Sequence, residues 1–251
     1  MDLELTGKRA LVTGGSRGIG KAIAAELALE GADVAIAARD QARIDATVAE
    51  LRRETGRHVT GMSTDTGDGA AVAAMVEASA KALGGIDILV NAAAQPGGQQ
   101  PAPRWDEVTE EALFEEIQVK VLGYLRVAQA AAPYMIAGRW GRIINISGLA
   151  ARQTGSVIGS VRNVAVAALS KNLADELAPH GIGVVTVHPG LTRTEATTEQ
   201  AAQRPAGNLA GRMITAREVA HVVTFLASPK SVAINGDTIA AGGGVPGAIY
   251  Y

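Results

Sequence analysis

The run Thr13-Gly14-Gly15-Ser16-Arg17-Gly18-Ile19-Gly20 stands between a short apolar stretch, RALVT (9–13), and a segment where Ile19, Ile23 and Leu27 recur every fourth residue. A strand entering a glycine-rich turn that opens an amphipathic helix leaves few folds open. Gly14 and Gly18 can take backbone conformations closed to other residues, and Gly20 lets helix and strand approach closely. Ser16, Arg17 and Ile19 fill the turn. The helix N-terminus then offers free N–H groups and a partial positive charge to an anion such as a pyrophosphate. Glycine is common in turns, so the placement carries the signal. It is not the other common phosphate loop, because no Gly-Lys-Ser/Thr follows.

The rest of the chain repeats the alternation. VAIAA (34–38), VTGMS (59–63), IDILV (86–90), RIINIS (142–147), GVVTVH (183–188) and DTIAA (237–241) read as further strands. Several are apolar at consecutive positions, as when both faces of a parallel sheet are covered. Helical patterns fill the gaps, with two long ones around 109–136 and 159–178. The prediction is an α/β fold: one domain over 1–251, a Rossmann-like doubly wound parallel sheet of about seven strands with helices on both faces. Two irregular stretches, 94–109 and 191–215, follow strands at the carboxyl edge, where open α/β sheets bind ligands. They are expected to wall a substrate site, with 191–215 as its lid.

Composition narrows the function. Lys plus Arg (23) nearly balances Asp plus Glu (25), which leaves no global field to attract nucleic acid or an anionic membrane. Cysteine is absent, which excludes disulfides, thiolate metal sites and cysteine nucleophiles. His58, His180, His188 and His221 lack metal-ligand spacing, so no metal is expected. No run is apolar for the roughly 20 residues of a membrane helix, and no secretory signal precedes the first strand. The expected location is the cytoplasm.

An acid ending the second strand would hold the ribose hydroxyls of NAD; here Ala38 is followed by Arg39. Arg39 and Arg17 together suit a 2′-phosphate, so NADP(H) is favoured, with NAD(H) the alternative. Asp40 reads as the N-cap of the next helix.

These motifs resemble the short-chain dehydrogenase/reductase superfamily from about residue 5 to 245. TGGSRGIG matches its glycine loop, and Asp65, with Thr66 beside it, is similar to the acid that meets the adenine. ILVNAAA (88–94) resembles its Asn-Asn-Ala-Gly motif, keeping Asn91 but with Ala92 and Ala94 in place of the second Asn and the Gly. HPGLTRT (188–194) resembles the Pro-Gly-x-x-x-Thr motif beside the nicotinamide. The resemblance implies cofactor contacts from Pro189, Gly190, Thr192 and Thr194, a carbonyl or alcohol substrate, and assembly as a homodimer or homotetramer.

It also exposes a departure. The superfamily's active site has Ser, Tyr-x-x-x-Lys and an upstream Asn. Here Gly159 takes the tyrosine position, Asn163 the lysine position and Lys120 the asparagine position. Gly148 falls where the serine is expected, leaving Ser147 one place early. Lys and Asn have exchanged helices, so Ser147, Lys120 and Asn163 are the candidate catalytic residues, with Asn163 also able to bond a ribose hydroxyl. Tyr124, one turn beyond Lys120, offers a transplanted Tyr/Lys pair, although packing or a subunit interface is its plainer role. Lys171 is eight residues past Asn163 and about 12 Å further along the helix, too far to substitute. Three readings stay open: an NADP(H)-dependent oxidoreductase with an altered proton relay, a dinucleotide-binding or regulatory protein without catalysis, and a structural subunit that pairs with an active relative.

Overall fold

The computed structural model describes residues 1–94, 102–203 and 206–249. Strand β1 (Arg9–Thr13) leads into helix α1 (Gly18–Leu29), then β2 (Asp33–Ala38), α2 (Gln41–Thr55), β3 (Val59–Ser63), α3 (Gly69–Leu83) and β4 (Ile88–Asn91). The second half runs through α4 (Glu110–Glu116), a π-helical turn at Ile117–Leu122, α5 (Gly123–Gly138), β5 (Gly141–Ile146), α6 (Val157–Leu177) and β6 (Ile182–Pro189). It closes with β7 (Thr192–Arg193), α7 (Glu199–Ala202), β8 (Ile214–Thr215), α8 (Ala216–Ala227) and β9 (Thr238–Ala241).

Seven strands form one parallel sheet in the order β3-β2-β1-β4-β5-β6-β9, and all seven expected strands are present within two residues of their predicted ends. Helices cover both faces. Ile23 and Leu27 of α1, Ile44 and Leu51 of α2, and Val219 and Val223 of α8 join one core cluster. Val72 and Met75 of α3, Val127 and Met135 of α5, and Ala174 of α6 join the other. Sheet residues Val12, Val34, Ile36 and Ile144 point to the first and Leu11, Ala35 and Ile143 to the second, the period-2 alternation of a strand buried on both sides.

The strand order reverses between β1 and β4, so a crevice opens at their carboxyl ends, where Thr13 pairs with Asn91. This switch point places the glycine loop beside the β4 exit.

Three expectations change. The pattern at 109–136 is interrupted, because its π-helical turn separates α4 from α5. Helix α6 begins at Val157, with Ser156 as its cap rather than an entry at 159. Segment 191–215 is pinned at both ends by β7 pairing with β8 and carries α7 between them. Residues 95–101 of the first irregular stretch, and 204–205 of the second, lie outside the described residues. Among the described residues no helix is long and apolar enough to cross a membrane.

Candidate active site

The glycine loop has the form an anion cradle needs. Gly14 and Gly18 have φ of +69° and +56°, where glycine alone is unstrained. A Cβ on Gly14 would meet the Ala92 carbonyl carbon at 2.7 Å, and one on Gly20 would meet the Gly14 oxygen at 2.2 Å. Backbone therefore packs on backbone across the β1–α1–β4 junction, and no side chain of the loop glycines stands over the N-terminus of α1. Ser16 is buried and its carbonyl accepts from the Thr47 hydroxyl, which fastens the loop to α2. Arg17 and Arg39 are exposed, and among the described residues neither forms an ion pair. Asp40 caps α2 by accepting from the Arg43 amide at 3.0 Å, as expected.

Asp65 is exposed after β3 and accepts from the Gly67 amide, while Thr66 is buried and its carbonyl faces the Arg126 guanidinium. Asn91 ends β4. Its side chain is fully buried, and its amide donates to Asn145 Oδ1 at 2.9 Å and to the Tyr124 carbonyl at 3.4 Å. Asn145 in turn donates to Ser170 Oγ, which also receives the Thr186 hydroxyl. The Asn91 amide nitrogen thus serves a polar ladder tying β4, β5, α6 and β6 together, while its Oδ1 has no hydrogen-bond partner among the described residues.

The exchanged pair is in contact. Lys120, 4% exposed at the π-helical turn, donates from Nζ to Asn163 Oδ1 at 2.9 Å and to the Ser147 carbonyl at 2.9 Å. Burial, aided by the nearby Arg162 charge and opposed by Glu116, brings its pKa from 10.5 down to about 7. An ammonium carries three protons, so two are committed and one is free. Arg162 and Glu116 form a half-buried ion pair between α6 and α4 at the edge of this cluster. Behind it, buried His188 accepts from the Gly148 amide at 3.4 Å. Desolvation, then the Arg152 and Lys120 charges, hold that imidazole down to about 4 and therefore neutral.

Ser147 and Tyr124 each donate to a backbone carbonyl. The Ser147 hydroxyl is buried and donates to the Asn163 carbonyl at 3.0 Å, so its one proton fastens β5 to α6. Tyr124 is 1% exposed and its phenol donates to the Ile146 carbonyl at 2.9 Å. With its acidity pushed further down by burial, it is a packing residue and not half of a transplanted pair. Gly159 sits in the first turn of α6, where its amide donates to the capping Ser156 Oγ.

Beside Gly159, a cavity of about 440 Å³ is lined by Arg104 and Trp105 on one side and Thr154, Ser156 and Ser160 on the other. Pro189 and Gly190 close β6, with Gly190 packed on Gly242, and Thr192 Oγ1 donates to the Gly190 carbonyl. Thr194 lies over the glycine loop, its methyl 3.6 Å from where a Gly18 Cβ would stand. Directly after it, Glu195 accepts from the Gly18 amide at 2.7 Å. Sequence reasoning missed Glu195 and the Arg162–Glu116 pair. The first carries one signal, an acid adjoining a motif threonine. The second joins separate helices and has no local signal. Among the described residues no cluster could hold a metal ion.

The short chain dehydrogenase family model matches residues 8–205. The 3-oxoacyl-(acyl-carrier-protein) reductase of Vibrio cholerae is 34% identical, over 97% of this chain and 99% of its own length. A short-chain dehydrogenase from Burkholderia cenocepacia, solved in complex with NADP, superposes with a TM-score of 0.84 at 35% identity, over 96% of this chain and 98% of that one. L-sorbose reductase from Gluconobacter frateurii, solved with NADPH and L-sorbose, reaches 0.90 at 27% identity, over 99% and 100%. Glycine loop, strand order and end-to-end similarity agree, and the chain belongs to the short-chain dehydrogenase/reductase family of oxidoreductases.

Proposed function

We propose that the chain is an NADP(H)-dependent oxidoreductase that acts on a carbonyl or alcohol, with Lys120 as its proton donor and acceptor. One observation carries this reading: a buried amine near neutrality, braced by Ser147 and Asn163 beside the carboxyl edge of β5. When bound, the nicotinamide cofactor supplies or accepts the hydride. Gly14, Gly18 and the α1 N-terminus would hold its pyrophosphate, Arg17 and Arg39 its 2′-phosphate, and Asp65 with Thr66 its adenine side. Pro189, Gly190, Thr192 and Thr194 would flank the nicotinamide end. Two solved relatives contain NADP or NADPH, which supports that choice over NAD.

The substrate oxygen takes its proton from Lys120. With so little of the side chain exposed, the proton crosses one intervening water, within reach of general acid catalysis. Asn163 and the Ser147 carbonyl fix the amine and act as positioning groups. The cavity beside Trp105 is the substrate pocket, and its mixed lining suits a polar carbonyl compound. Association into a homodimer or homotetramer is part of the proposal, because Val157, Val161 and Val164 form an exposed stripe along α6.

NADPH oxidation over a panel of ketoses and 3-oxo esters tests it. Reduction should weaken as pH rises through about 7, when the amine loses its proton, and fall about 10²–10⁴-fold in Lys120→Ala. An unchanged rate in that variant removes Lys120 from the chemistry. A second reading, a dinucleotide-binding protein without turnover, is favoured by Gly159, which offers no acid where the family keeps a phenol. Tight NADP⁺ binding with no substrate reduced across the panel would establish it.

A further inference from the structure

The α1 N-terminus carries an anion supplied by the chain itself. Helices α2, α3, α6 and α8 each begin on a side-chain cap from the residue just before them. Helix α1 begins on Arg17, which provides no such bond, and has no acid in its first turn. Its cap comes instead from Glu195, 177 residues away, whose Oε1 receives the Gly18 amide at 2.7 Å. Gly18 is the second glycine of the cradle, held at positive φ.

The arm that delivers this carboxylate is built for the position. β7 pairs with β8 just before it. The Thr194 amide donates to Thr197 Oγ1 at 2.9 Å and the Ala201 amide to Thr198 Oγ1 at 3.2 Å, so the turn after Glu195 is braced from both sides. Thr194 closes over Gly18 at the same point. Glu195 and Ala196 also wall a groove of about 450 Å³ with Ser16, Arg17 and Lys21, the last paired with Glu50, which gives a displaced carboxylate open space to move into.

A carboxylate and a pyrophosphate both seek the N–H groups and positive end of one helix, and two anions cannot share them. We propose that Glu195 is an internal competitor: a dinucleotide enters the glycine loop only by displacing this carboxylate from the Gly18 amide, so cofactor binding and withdrawal of the Glu195 side chain are a single event. The inference rests on the dinucleotide-binding reading above. The pyrophosphate is common to NADP⁺ and NAD⁺, so the competition is independent of the 2′-phosphate.

Titration calorimetry with NADP⁺ and with NAD⁺ on the whole chain tests it, comparing wild type, Glu195→Gln, Glu195→Ala and Glu199→Gln. An exposed charge on a helix terminus sets the scale, so both Glu195 variants should bind either dinucleotide about 2- to 5-fold more tightly. Glu199→Gln, which removes an exposed acid four residues along the same arm, should match wild type. Unchanged or weaker binding in the Glu195 variants overturns the inference and leaves the dinucleotide reading standing. Equal tightening in Glu199→Gln overturns it as well, because the effect would be general charge. If no form binds either dinucleotide, both fall.

Discussion

Replacing Lys120 by methionine isolates the cost of a buried ammonium. The folded chain holds Lys120 near pKa 7, against 10.5 for an ordinary lysine. Between those values the unfolded chain binds a proton that the folded chain releases, so raising the pH favours folding. The penalty is fully present below about pH 7 and fades towards 10.5. A full pH unit inside the window is worth about 1.4 kcal/mol, and with the folded amine half titrated at pH 7, wild type should gain about 2 kcal/mol on the variant between pH 7 and 9. The absolute difference is less informative, because methionine strips the Ser147 carbonyl and Asn163 Oδ1 of their donor, at about 1–3 kcal/mol each. The slope is unaffected by that loss. His188, held down to about 4, titrates in both chains below the window and largely cancels. Urea unfolding of both proteins at pH 6, 7, 8 and 9 measures the effect. Stability curves that stay parallel from pH 7 to 9 would refute the depressed lysine, and with it the proton donor.

Arg39→Ala should weaken NADP⁺ about tenfold while leaving NAD⁺ nearly unchanged, since one charge-assisted bond to the 2′-phosphate is lost; calorimetry with both ligands checks it. Tyr124→Phe should cost about 1 kcal/mol in urea unfolding, from the lost bond to the Ile146 carbonyl, and leave any turnover untouched; a falling rate would return the phenol to the chemistry. The triple exchange Lys120→Asn, Gly159→Tyr and Asn163→Lys restores three of the four family positions, with Gly148 still in the serine place, and should recover most of the ketone reduction that Lys120→Ala loses, read as NADPH oxidation. The new Cβ at 159 meets Ser156 Oγ at 2.9 Å, a side-chain atom that can rotate aside.

The fold was legible because its signals are local. Apolar runs at 9–13, 34–38 and 142–147 mark buried parallel strands, and Asp40 marks a helix start that the structure keeps. The glycine loop was legible for the same reason, since Gly14 and Gly20 answer contacts between adjoining elements. Side-chain direction was not. Asn91 and Ser147 both lie at strand ends, and each donates its side-chain hydrogen bond to the scaffold, with partners 54 and 16 residues away. The helical spacing that put Tyr124 on the face of Lys120 was sound for a regular helix, but the intervening π-helical turn changes the angle between them. Glu195 meets Gly18 across most of the chain length, a contact that no spacing rule reaches.

The exchange of Lys120 and Asn163 also gives Gly159 a physical reason. In this chain the pair bridges two helices, Nζ on the π-helical turn reaching Oδ1 on α6. The exchange bears first on proton chemistry. In the family pattern tyrosine and lysine stand four apart on one helix, so the cation lies one turn from the phenol and lowers its pKa. Once the lysine sits on the π-helical turn, a tyrosine at 159 would have asparagine one turn away on its own helix, and the amine would approach it only from the neighbouring helix. The same move buries the amine and lowers its own pKa into the range the phenol no longer supplies.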